Sequence, residues 1–242
     1  MGADAYAQSG EYIDVLSRDA WRALRAPIER ALRHAVPRQG PIVDLGAGSG
    51  LGTALVAETL LDADVIAVEP SPVLRAVLLS RLAATEPLRR RVTVQATDVD
   101  GMQLPPRLGG VLAINMIGHL SPRRRRQLWA DLRQRLAPAA PLVVNLSPPA
   151  EEAEVPETPF ASVSIGQRTY QGSGMARPAS NGAVTWTMRY RTLDASGSIE
   201  RELVVDYEWT VLSRQRLLHE LTAAGYTPWT EEMDVVVATP RS

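Results

Sequence analysis

The 242 residues carry 26 basic and 27 acidic side chains for a net charge of −1, so no global field draws the chain toward nucleic acid or a membrane surface. There is no cysteine and every basic side chain is an arginine, which excludes thiol nucleophiles, disulfides, cysteine metal sites, Schiff-base lysines and a phosphate-loop lysine. No apolar run approaches the roughly 20 residues needed to span a bilayer, and the N-terminus lacks a basic, apolar leader, so one cytoplasmic domain with no membrane partner is expected.

Residues 1–39 predict a helical cap. Ile13, Leu16, Trp21, Leu24, Ile28 and Leu32 recur at helical steps, and Pro27 reads as the first-turn proline of a second helix. After the break at Pro37-Arg38-Gln39-Gly40 the rhythm becomes strand, turn, helix, repeated. Short apolar runs at Ile42–Leu45, Val65–Val68, Val92–Val94, Gly110–Ile114 and Leu142–Val144 predict buried strands. Helices follow Gly50, Ser71-Pro72 and Ser121-Pro122, the last two with an N-cap serine and a first-turn proline. Such alternation means a doubly wound α/β sheet, covered on both faces.

Residues 147–200 predict an insertion. Its first part is rich in Pro, Glu, Ser and Gly and shows no helical period. Two alternating runs, Val184–Leu193 and Glu202–Val211, flank the turn Asp194-Ala195-Ser196-Gly197 as a β-hairpin. A helix from Ser213 ends near Gly225, and Val235–Val237 forms a last strand.

The chemistry concentrates in Val43-Asp44-Leu45-Gly46-Ala47-Gly48-Ser49-Gly50, a buried strand running into a glycine turn that opens a helix. Glycines let the backbone adopt positive φ and admit a ligand to contact distance, and the helix start offers unpaired N–H groups. A dinucleotide fingerprint requires G-x-G-x-x-G, but the third position is Leu51 counted from Gly46 and Thr53 from Gly48. The spacing is G-x-G-x-G, with Asp44 two residues before it.

This pattern resembles the class I S-adenosylmethionine-dependent methyltransferases. Asp44, Gly46, Gly48 and Gly50 match their first motif, Glu69 the acid ending the second strand, and Asp98 the acid after the third. The resemblance implies a seven-stranded, mostly parallel Rossmann-like sheet with the last strand antiparallel. It implies S-adenosylmethionine held by Tyr12, Asp44, Gly46, Ala47, Gly48, Gly50, Glu69, Pro70, Asp98, Val99, Asn115 and Met116, with no metal. Glu69 would accept the ribose hydroxyls and Asp98 would meet the adenine amino group. Tyr6 and Tyr12 resemble N-terminal tyrosines that close over the cofactor in this family. One departure is Ala137-Pro138-Ala139-Ala140, where relatives carry Pro-Gly-Gly.

The acceptor side is less defined. Asn115-Met116-Ile117-Gly118-His119 follows the fourth strand, and His119 is the candidate general base, with helix capping or packing as the competing role. The run Arg123–Arg126 reads as a solvated helix face, not a nucleic-acid contact. Trp186, Tyr190, Tyr207 and Trp209 alternate along the hairpin and either line the acceptor pocket or pack the hairpin down. The expected activity is methyl transfer to an O or N atom of a small molecule, a bacterial specialised metabolite. Two alternatives stay open, a non-methylating reaction such as a cyclisation and a non-catalytic binding partner. A monomer and a homodimer are both compatible with the sequence.

Overall fold

The short apolar runs of the chain line up side by side because most are buried on both faces and must take their backbone partners from neighbouring strands. In the computed structural model, which describes residues 4 and 6–241, the runs become β1 (Ile42–Leu45), β2 (Val65–Val68), β3 (Val92–Gln95), β4 (Gly110–Ala113) and β5 (Leu142–Asn145). With β10 (Tyr226–Thr230) and β11 (Val235–Pro240) they form a seven-stranded sheet ordered β10-β11-β5-β4-β1-β2-β3. β11 runs antiparallel to both neighbours, and the pairs among β1 to β5 are parallel.

Strand alternation divides the core into two layers. Val43, Leu45, Val111, Val144 and Val236 face α5 (Pro122–Arg135) and α6 (Arg214–Ala223), meeting Leu128, Trp129, Leu132, Leu217 and Leu221. Ile42, Val65, Leu112, Val143 and Val237 face the other way, onto Leu24, Ile28 and Leu32 of α1 (Gly10–Leu32) and Leu55 and Val56 of α2 (Leu51–Thr59). α3 (Pro72–Ala83) adds Leu78 and Leu82 against Ala47 and Ala67, and a short α4 (Glu86–Arg91) precedes β3. Ser71, Ser121 and Ser213 cap their helices through their hydroxyls, accepting from the N–H groups of Leu74, Arg124 and Arg216.

Two expectations are corrected. Pro27 starts no new helix: α1 runs unbroken across it. An interior proline costs about 3 kcal/mol, and here Leu24, Ile28 and Leu32, all buried on the sheet, hold the helix on both sides of Pro27. Nor is the arginine run wholly solvated. Arg123 and Arg126 are exposed, but Arg125 is completely buried and forms a two-pronged pair with Glu220 of α6, Nε and Nη2 each 2.9 Å from a carboxylate oxygen. Trp129 Nε1 donates to the same carboxylate at 3.3 Å. The signal lay in the spacing, because Arg125 stands three and four residues before the buried Leu128 and Trp129.

The inserted segment is more regular than its composition suggests. It is a four-stranded antiparallel meander, β6 (Val155–Ile165), β7 (Arg168–Pro178), β8 (Ala183–Leu193) and β9 (Ile199–Thr210), so it contains the expected hairpin and two further strands, and it extends ten residues past position 200. One face packs Tyr190 on Tyr12 and Leu16 of α1. The other carries Arg189 and Arg191 paired with Glu202, and Thr187 bonded to Asp206, so it is a solvated face. No helix among the described residues is long and apolar enough to cross a membrane.

Candidate active site

At the carboxyl ends of the parallel strands the backbone turns sharply, and the glycines of that turn meet two requirements. Gly46, Gly48 and Gly50 have φ of 67°, 56° and 86°, the left-handed region that side chains disfavour. A Cβ on Gly46 would also lie 2.8 Å from Met116 Cβ, and one on Gly50 2.5 Å from Leu78 Cδ1. At Gly48 the nearest atom would be 3.9 Å away, so this residue borders open space. That space is a cavity of about 700 Å³, within the size range of small-molecule sites.

Glu69, at the end of β2, shapes this cradle. One carboxylate oxygen accepts the N–H of Gly48 and the other the N–H of Ser71, both at 2.8 Å. Burial raises its pKa, partly offset by those two N–H groups. Each oxygen keeps a second lone pair, and the side chain borders the cavity, so it can still accept hydroxyls from a ligand. Asp98 is exposed at the rim. Its Oδ1 accepts the N–H groups of Asp100 and Gly101 at 3.0 and 3.1 Å, and its Oδ2 has no protein partner among the described residues.

Gly46, Ala47, Gly48, Glu69, Pro70, Asp98, Val99, Asn115 and Met116 all line the cavity. Three of the sequence candidates do not. Asp44 lies beneath the turn, 2% exposed, accepting the Thr53 hydroxyl at 2.6 Å, and burial pushes its carboxyl pKa up to about 7. Gly50 is buried under Leu78. Tyr12 points to the meander, its ring stacked on Tyr190 with centroids 5.1 Å apart and its hydroxyl 3.0 Å from Thr192 Oγ1. Helical geometry explains Tyr12: it shares a face with Leu16, whereas Ile13, Ser17 and Trp21 project from α1 into the cavity.

The other tyrosine, Tyr6, does border the cavity, and its hydroxyl lies 2.8 Å from Nε2 of His119. His119 ends a 3₁₀ turn (Ile117–His119) after β4 and does not cap α5, whose N-cap is Ser121. It is clasped edge-on by Tyr6 and by Trp209, whose ring centroid is 4.9 Å away. Its ring is accessible from the cavity while protein surrounds it closely, and this desolvation pulls its pKa below the ordinary value. Tyr6 in turn packs on Tyr207, which hydrogen-bonds the buried Ser9. Burial raises the Tyr6 pKa strongly, so its hydroxyl keeps its proton. Tyr207 and Trp209 thus belong to the site's second layer, while Tyr190 packs on α1. Asn115 (φ 55°) is also braced from behind: Asn145 accepts its backbone N–H and donates to its side-chain oxygen, both at 2.7 Å.

Sequence reasoning missed Asn145, Arg124 and the cavity-facing side of α1. The stripe containing Ile13 and Trp21 gave half of that signal, since it named buried positions without saying what covered them. Among the described residues no group of His, Cys, Asp or Glu side chains is placed to hold a metal ion.

Residues 42–139 match a protein family described as "Methyltransferase domain". No curated protein matches the sequence. Among solved structures, DesVI of Streptomyces venezuelae superposes with a TM-score of 0.76 at 16% identity, covering 99% of this chain and 100% of that one. CalS10, an amino pentose methyltransferase of Micromonospora echinaspora solved with S-adenosylmethionine bound, gives 0.74 at 21% identity over 99% of each chain. The sugar N-methyltransferase KedS8 from a Streptoalloteichus species gives 0.74 at 19%, covering 100% of this chain and 96% of that one. At these identities the superpositions establish the fold. The fold is thus that of these methyltransferases, and the matched segment, residues 42–139, holds the glycine cradle that opens to the cavity.

Proposed function

We propose that the protein methylates a nitrogen or oxygen atom of a small molecule, and that the favoured acceptor is an amine borne on a sugar. The observation that carries this is continuity: a single cavity joins the Gly46–Gly50 cradle, with Glu69 and Asp98, to the Tyr6–His119 pair. The sugar amine is drawn from the structural neighbours, two of which are described as an amino pentose methyltransferase and a sugar N-methyltransferase. The carboxylates of Asp4, Glu69, Asp98 and Asp100 outnumber Arg124 along the cavity, which suits cationic and amine-bearing ligands.

S-adenosylmethionine supplies an electrophilic methyl group on a sulfonium, so the protein's part is to bind, orient and exclude water. Gly48 would let the donor approach the backbone, Glu69 would accept the ribose hydroxyls and Asp98 Oδ2 would receive the adenine amino group. Asp44 acts from below, fixing the cradle through Thr53 and contributing negative charge when ionised. Ile13, Trp21, Met116 and Leu120 wall the cavity and keep water from the transfer. His119 is the proposed proton acceptor. Its lowered pKa leaves the imidazole neutral at pH 7, and Tyr6 fixes the ring. The absence of a nucleic-acid partner fits the near-zero net charge.

Incubation with methyl-labelled S-adenosylmethionine and a panel of amino sugars, each beside its hydroxyl counterpart, tests the reading. Label is expected in the amines. Label confined to the hydroxyl sugars would overturn the nitrogen assignment, and binding of the donor with no transfer to either would overturn the sugar acceptor.

A further inference from the structure

The cavity has a floor, the glycine turn, and a roof, the first half of α1. That first half meets α2 and α3 through two close steric contacts and one charged one. Gly10 sits so tightly on Val73 of α3 that a side chain there would collide with it. Trp21 covers the first turn of α2, where a Cβ on Gly52 would lie 2.8 Å from Trp21 Cη2. Between these points lies Asp14, 11% exposed at its side chain, ion-paired with Arg81 of α3 and with Arg18 of α1 itself.

Arg81 is unlike Arg18. Its Nη2 grips Asp14 Oδ1, while its Nε donates to the carbonyl of Ser49 at 3.0 Å, inside the glycine turn. Arg18 bonds Asp14 Oδ2 through Nε and Nη2 at 3.2 and 2.7 Å and is itself 54% exposed. One guanidinium therefore holds roof and floor together, while the other only follows its own helix. Only arginine's rigid fork presents two donors to two acceptors in this way. Burial alone would raise the pKa of Asp14, but the hydrogen bonds from Arg18 and Ser49 and the charges of both arginines outweigh it and keep the carboxyl ionised. Because Ile13 and Ser17, the neighbours of Asp14 on the helix, line the cavity, a shift of α1 changes the space the donor occupies.

We infer that Arg81 is a positioning residue for S-adenosylmethionine, tying α1 to the Ser49 carbonyl so that the roof of the cavity and its glycine floor keep a fixed separation. Arg81 itself is not among the residues lining the cavity, so it acts through Asp14 and Ser49.

The inference rests on the assigned cofactor, and the test separates the two. Calorimetry of wild-type protein with S-adenosylhomocysteine comes first, and absence of binding there would overturn the cofactor assignment itself. Given binding, Arg81→Gln is expected to weaken it at least tenfold and Arg81→Lys, which keeps one contact at a time, less. Arg18→Gln should leave it within twofold. In steady-state assays Arg81→Gln should raise KM for the donor more than it lowers kcat, a split that a general loss of folded protein would not produce. Should Arg81→Gln not fold, Asp14→Asn decides: it preserves volume but removes the ion pair, and several-fold weaker binding is expected. Unchanged binding in the folded variant, or equal weakening by Arg18→Gln, would overturn the role of Arg81.

Discussion

On the proposed function, the donor end and the acceptor end of the cavity are built on different principles. The donor end is made of backbone: three positive-φ glycines, the N-terminus of α2, and a carboxylate, Glu69, that spends one lone pair of each oxygen on the main chain. The acceptor end is made of side chains brought together from far apart in sequence, with Tyr6 before the first helix, His119 after β4, and Tyr207 and Trp209 on the meander. A backbone site follows from a local motif and resists change, because moving it means moving strands. A side-chain site follows from tertiary contacts, and single substitutions reshape it.

That contrast can be broken by variants whose effects cross from one end to the other. The largest effect is expected at Gly118, where a Cβ would fall within the ring of Trp209. Gly118→Val should push Trp209 away from the turn, misalign the acceptor as a whole and cut turnover more than 100-fold, since misplacement by about 1 Å can cost that much, while donor affinity measured by calorimetry stays within twofold. Equal loss of donor binding would mean the two ends are one unit. Next, Glu69→Ala strands two backbone N–H groups and removes the proposed ribose acceptor, so donor affinity should fall about tenfold or more with the acceptor KM unaltered.

A third test sharpens the view of Asp44 as a buried support. Its folded pKa, about 7, lies above the ordinary carboxylate value, so the native state binds the proton more tightly than the unfolded chain and stability falls as pH rises from about 4 through 7. Asp44→Asn should therefore unfold at higher denaturant than wild type at pH 8, by on the order of 1–3 kcal/mol, with the gap closing near pH 4. A gap that does not depend on pH would contradict the buried titration. The smallest effect belongs to His119. With its pKa lowered by burial, kcat at saturating acceptor should be flat from pH 7 to 8 and decline only below the usual histidine range. His119→Asn should lower it several-fold and remove that decline, and an unaltered profile would take His119 out of proton handling.

The same contrast explains what could be read in advance. β1 and β2 were legible with their boundaries, and β4 to within one residue, because parallel strands buried on both faces are nearly continuous apolar runs. The cradle was legible because it is local. β6 and β7 were hidden because Pro156, Pro159 and Pro178 and several serines and glycines dilute the alternation, and because Gly172 is a packing position, covered by the ring of Phe160. β10 was hidden behind Pro228 and the preceding Gly225, which read as a helix end followed by a loop. Tyr12 and Tyr6 were indistinguishable as sequence, since only the docking of α1 decides which of them turns to the meander.

The path of the meander has a consequence for diversification. The chain leaves the parallel sheet once, after Asn145, and comes back once, through Val211 into α6, which the Arg125–Glu220 pair locks against α5. The whole excursion is thus a cassette with two joints. Strands within it can lengthen, or exchange their aromatic residues, without altering the register of Val111 on Leu142 or of Val236 on Val144. On the proposed function, a lineage can change its methyl acceptor here and keep the strand ends that hold the donor.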